Sequence, residues 1–188
     1  MIGKRRAYEE LLVVEARGRN RAAMEALVRH RGPRLLVHAT RLLGDRDLAQ
    51  DAVQEAWVEI LRSLPSLRNS AAFPAWATQI VTRRCARIIK GLQKGRALAA
   101  ELTPLTETEQ PAPDDEAARV RWAIDQLPPE QAATIALFYL EDMRLAEVAI
   151  ALDIPEGTVK SRLSKARGAM RHLLEGENDE CENDKRTG

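Results

Sequence analysis

An all-α fold, two small helical domains joined by a flexible acidic linker, is predicted by three features of this 188-residue chain. Apolar residues recur at helical spacing, as in Ala49, Ala52, Val53, Ala56, Ile60 and Leu64. Strand-like alternation is rare, and aromatic residues make up only 4% of the sequence, so little points to a β-rich core. Residues 95–118 hold Pro104, Pro111 and Pro113, three threonines and an acidic run, without sustained helical periodicity. The expected division is an N-terminal extension over 1–18, a first domain over 19–94, the linker over 95–118, a second domain over 119–175 and a disordered tail over 176–188.

The first domain carries a helix from about Asp45, a plausible N-cap, to Leu64. Its apolar face has Trp57 at the margin. The other face gathers Asp47, Asp51, Gln54, Glu55 and the apolar Val58. A solvated face explains most such patterns, but an acidic stripe with an exposed valine also suits docking on a basic partner. Next come the polar loop from Ser66 to Ala72 and a helix opened by Phe73, Pro74, Ala75 and Trp76. On that helix Trp76, Ile80, Arg83, Arg87 and Lys90 are placed on one face, with Ala77, Val81, Cys85 and Ile88 inward. From Pro74 to Ala100 there are six bases and no acid. A basic stripe beside an aromatic and a polar loop describes a surface that holds phosphates and captures unstacked bases. Phe73 and Trp76 would serve equally as ordinary core.

The second domain ends in a helix-turn-helix. Leu145, Val148, Ala149 and Leu152 mark a short helix, Pro155 breaks it, and Pro155-Glu156 suits the first turn of the next. There Val159, Leu163, Ala166 and Met170 form one stripe, and the opposite face carries Ser161, Ser164, Lys165 and Gly168, flanked by Lys160, Arg162 and Arg167. From Glu156 to His172 there are five bases against one acid. A helix that buries a narrow stripe and offers small polar and basic side chains outward fits the DNA major groove.

The formal net charge is only +1, so charge segregation, not total charge, points to nucleic acid. Cys85 and Cys181, with no Cys-x-x-Cys spacing, favour neither a disulfide framework nor a metal site. No apolar run approaches the roughly 18 residues of a membrane span, and Met1 to Arg6 is not followed by a signal-peptide core, so a cytoplasmic location is expected. His30, His38 and His172 are scattered, no phosphate-binding glycine loop occurs, and the acids lie along a helix face. No catalytic residue and no cofactor is expected.

The strings Arg41-Leu-Leu-Gly-Asp45, Asp51-Ala-Val-Gln-Glu-Ala-Trp57, Phe73-Pro-Ala-Trp76, Leu127-Pro-Pro-Glu-Gln131 and Ile154-Pro-Glu-Gly-Thr-Val-Lys-Ser-Arg-Leu-Ser-Lys-Ala-Arg167 together resemble the bacterial sigma-70 family of RNA polymerase sigma factors, in its extracytoplasmic-function (ECF) class. The resemblance implies a region 2 helical bundle followed by a region 4 helix-turn-helix. It implies that Asp47, Asp51, Gln54, Glu55 and Val58 meet the β′ coiled coil of polymerase core. Arg68, Asn69, Ser70, Phe73, Trp76, Gln79, Arg83, Arg87 and Lys90 would then serve the −10 promoter element. At the −35 element Ser161, Ser164 and Lys165 would face bases, with Thr158, Lys160, Arg162 and Arg167 on phosphates, and this domain also rests on the β flap. An anti-sigma factor is implied as a further partner, and the acidic linker would thread a polymerase channel built for nucleic acid. Its 24 residues reach at most about 80 Å, matching about two dozen base pairs between the two elements.

Three positions depart from the family pattern. Arg83 stands where many relatives carry Asn, Asp153 where Gly is usual in the turn, and Arg144 in place of a Ser or Thr cap. Asp153 is therefore expected to adopt a left-handed conformation at some cost. A helix-turn-helix repressor or activator acting without polymerase is the competing reading.

Overall fold

The computed structural model describes residues 2–98 and 115–184, with side chains described over 4–92 and 115–174. Among these residues the chain forms eight α-helices and two short 3-10 turns. Four helices build the first domain: α1 (Ile2–Arg17), α2 (Arg21–Leu43), α3 (Arg46–Ser63) and α4 (Phe73–Leu98), with the turns Leu64–Ser66 and Ser70–Ala72 between the last two. The second domain holds α5 (Glu116–Asp125), α6 (Pro129–Tyr139), α7 (Leu145–Leu152) and α8 (Glu156–Asp184).

Local chemistry sets the helix ends in the first domain. The Asn20 side chain accepts the Ala23 N–H at 3.2 Å and so caps α2. At the other end Gly44 takes φ 69, open to glycine without strain, and its N–H reaches the Thr40 carbonyl at 2.8 Å. Asp45 then accepts the N–H groups of Asp47 and Leu48 at 2.9 and 3.0 Å, as expected of an N-cap. The inward stripe of α3 is fully enclosed, Trp57 included. It packs with Leu27 and Leu35 of α2 and with Ala77, Val81 and Cys85 of α4. Burial pushes the Cys85 thiol up to about 11, so it is not a nucleophile at neutral pH.

Several element boundaries differ from those expected. The N-terminal extension is α1, whose Leu12, Val13 and Ala16 are buried in the first core. Nothing breaks α4 before Leu98, and Asp115 caps α5 by accepting the Ala118 N–H at 3.0 Å. The linker predicted over 95–118 is therefore helical at both ends, and residues 99–114 lie outside the described part. Helix α8 runs to Asp184, across most of the tail expected to be disordered, with no proline to interrupt it. Residues 185–188 lie outside the described part.

The two domains are packed together, α4 along α7 and α2 along α6. Arg31, 2% exposed, is the hub of the junction. Its guanidinium donates to Glu141 at 3.0 Å and to Thr78 at 3.2 Å, and lies 3.8 Å from the buried Glu9 of α1. Arg34 also reaches Glu141, at 3.4 Å, and Arg6 of α1 pairs with Glu147 at the start of α7. Ala75 of α4 belongs to the second domain's core, and Leu42 of α2 touches both cores.

His38 lies within this junction. Its Nε2 is 2.9 Å from the Thr82 hydroxyl, which is 2.7 Å from the Ala151 carbonyl across the junction. The Thr82 proton satisfies that carbonyl, so a neutral His38 donates its Nε2–H to Thr82. Burial, with Arg31 and Arg41 nearby, lowers the imidazole to about 3. Because the folded value is depressed, the stability from neutral His38 is complete above about pH 6.5 and is lost as pH falls toward 3. Going from pH 6.5 to 5 should cost about 2 kcal/mol. Urea unfolding at pH 7 and pH 5 checks this. His38→Gln, which keeps a donor, should lose most of the difference; an undiminished difference would assign the effect to other groups, such as the partly buried His30, which burial also lowers.

Candidate nucleic-acid interfaces

The outward face of α3 forms as the wheel predicts. Asp47, Asp51, Gln54, Glu55 and Val58 are all exposed, Val58 to 56%. The stripe is anchored at one edge, where Arg84 of α4 reaches Glu55 at 2.9 Å and Glu59 at 3.8 Å. An exposed valine amid carboxylates is a surface for a basic, partly apolar partner.

The 67–72 loop is held by Asn69, whose side-chain oxygen accepts the Ala71 N–H at 3.1 Å and starts the second 3-10 turn. Arg68 and Asn69 are exposed, and Ser70 is half-buried. Phe73 is not available here: it is 0% exposed, and Trp76, half-buried, leans on it with ring centroids 6.0 Å apart. Ile80 is likewise inside the first core instead of on the outward face. The placement of Ile80 fails for a physical reason. Helix α4 is covered by α2 and α3 on one side and by α7 on another, so its apolar arc is wider than a surface helix would have. Arg83, Arg87 and Lys90 remain exposed.

On α8 the predicted stripe is buried, with Val159 and Ala166 at 0% and Leu163 at 5%. Met170 is half-buried against the same core. Opposite them Lys160, Ser161, Ser164, Lys165 and Arg167 are exposed, and Thr158 is half-buried. Arg162 differs from expectation, since it turns back to pair with Glu130 of α6 and braces the helix-turn-helix. The turn before α8 has Asp153 at φ 58, left-handed as expected. Glu147 secures the start of α7 by accepting the Arg144 N–H at 2.8 Å, which replaces the missing Ser or Thr cap.

Two contacts join these surfaces. The Arg83 guanidinium forks onto the Asp153 carboxylate at 3.2 Å through two nitrogens, and the Gln79 amide donates to it at 3.0 Å. Asp153 thereby holds Arg83 above its usual range, while Arg83 and Gln79 hold Asp153 below the usual carboxylate range. Asp153 was not a predicted site residue, although its unusual place in the turn was visible in the sequence.

Residues 27–95 match the family description Sigma-70 region 2, and residues 118–170 match Sigma-70, region 4. The ECF RNA polymerase sigma factor SigM of Mycobacterium tuberculosis is 31% identical over 175 residues, covering 90% of this chain and 85% of that protein. The chain belongs to the ECF class of the sigma-70 family. The fold of this sigma factor is also that of solved relatives. It resembles the sigma factor RpoE of Bartonella quintana, in a complex with the anti-sigma factor NepR, with TM-score 0.62 and 21% identity over 76% of this chain and 91% of that one. CnrH, in a complex with the cytosolic domain of CnrY, aligns with TM-score 0.60 and 20% identity over 90% of this chain and 98% of that one. In this sigma factor α1 precedes the region 2 match, and the face of α8 described above lies inside the region 4 match.

Proposed function

We propose that this sigma factor docks on RNA polymerase core through Asp47, Asp51, Gln54, Glu55 and Val58. On this reading α8 reads the −35 element, with Ser161, Ser164 and Lys165 toward base edges and Thr158, Lys160 and Arg167 toward phosphates. The 67–72 loop and the outward residues of α4, Gln79, Arg83, Arg87 and Lys90 with the edge of Trp76, hold the opened −10 element. The α8 geometry carries the reading: a stripe of Val159, Leu163 and Ala166 is sealed inward, and small polar and basic side chains face outward. The chain carries out no covalent reaction. Duplex opening is offset by capture of unstacked bases, each worth about 1–3 kcal/mol on an aromatic platform.

The protein acts where polymerase is, in the cytoplasm, and no described helix is long and apolar enough to cross a membrane. An anti-sigma factor is a fitting regulator, since both solved relatives above were captured with a partner protein.

The test is association of the purified chain with bacterial polymerase core, followed by run-off transcription from a promoter library. Core binding with transcription from a narrow promoter set is expected. Lys165→Ala should lower promoter-specific transcription about tenfold or more, in line with about 1–3 kcal/mol per base contact, and weaken binding to random duplex much less. Equal losses on both would confine Lys165 to phosphate contact. Tight duplex binding without core association would instead favour a conventional repressor.

A further inference from the structure

Arg83 and Asp153, two of the positions that depart from the family pattern, are each other's partners across the domain junction. An L-residue at φ 58 is strained, and glycine would occupy that turn freely. What aspartate adds is its carboxylate, and that carboxylate touches Arg83 and Gln79 of the proposed −10 surface. The contact lies where α7, the first helix of the helix-turn-helix, runs along α4, which carries the proposed −10 surface. Promoter elements about two dozen base pairs apart are about 80 Å apart, so a chain in this arrangement cannot occupy both.

We propose that Asp153 is an autoinhibitory latch: it occupies Arg83 and Gln79, adds to the Arg31–Glu141 and apolar contacts that keep the two domains closed in the free protein, and is displaced when DNA phosphate or polymerase competes for these groups. The proposal rests on the sigma reading of the α4 surface. The latch is suited to release because its two side chains are 53% and 50% exposed, within reach of solvent and salt. Opening also strands no buried charge. Arg31 loses Glu141 but keeps Glu9, which belongs to its own domain, and Glu141 passes to water.

Asp153→Gly removes the carboxylate and suits the left-handed backbone, so the fold is retained. Asp142→Gly is the matched control. Asp142 is an exposed acid of the same domain, also at positive φ (54), whose charge acts on Arg6 of α1 and not on Arg83, which feels Asp153 and Glu59. The full-length chain is measured by small-angle X-ray scattering, and its affinity for a labelled random single-stranded oligonucleotide by fluorescence anisotropy at low ionic strength. Asp153→Gly should enlarge the radius of gyration and tighten DNA binding about threefold or more, because apparent affinity scales with the open fraction. Asp142→Gly should change neither, and Arg83→Gln should reproduce the expansion. An unchanged radius in Asp153→Gly overturns the latch, as does expansion without tighter binding or an equal gain in Asp142→Gly. Core association of the unaltered chain is scored separately, so a failure of the sigma reading is not confused with a failure of the latch.

Discussion

Replacing Asp51 and Glu55 together by arginine is expected to abolish association with polymerase core, with affinity falling about 100-fold or more. Both carboxylates are exposed and flank Val58 on α3, so reversing them turns an acidic patch basic at its centre. Like charges placed against a basic partner surface cost several kcal/mol, and each 1.4 kcal/mol is about tenfold in affinity. The fold should survive. The Arg84–Glu55 pair lost in the variant is partly exposed, and such pairs contribute about 1 kcal/mol at most. Circular dichroism melting beside a core-binding titration separates the two effects. Unchanged core affinity would return the stripe to a merely solvated face.

Phe73→Ala should cost about 3–5 kcal/mol, a large fraction of a small domain's total stability. Its ring is completely buried in the first core, at the point where the loop becomes α4. A melting temperature lower by more than about 10 °C is expected. Phe73→Leu, which keeps most of the volume, should largely restore both stability and DNA binding. A Phe73→Ala chain that melts normally yet loses single-stranded DNA would show instead that the ring is offered to bases.

How far the sequence could be read follows from which interactions are periodic. The buried stripes of α3 and α8 were legible because apolar residues at spacings of three and four leave few ways to turn the helix. Asp45 was legible as a cap because its chemistry is local. Helix α1 was not recognised: it opens on Lys4, Arg5 and Arg6, and its inward stripe of Glu9, Leu12, Val13 and Ala16 includes an acid whose burial is compensated by Arg31 of α2. The stripe was present, but its partner was not adjacent. Ile80 was misplaced because a wheel assigns one buried side, whereas α4 has neighbours on two; Phe73, which the residues alone left equally open as core, is core. Arg83 and Asp153 each stood out as departures, yet nothing in a linear pattern links residues 70 positions apart.

Ala75 belongs by sequence to the first domain and by packing to the second, and Leu42 touches both hydrophobic cores. In the closed arrangement the two domains therefore share one cooperative unit, and heat should melt them in a single calorimetric transition. A partner that grips only one of them then stabilises the other as well, by an amount set by its own occupancy. Once the junction opens that coupling ends, and each small helical body must persist on its own core or on the surface that receives it.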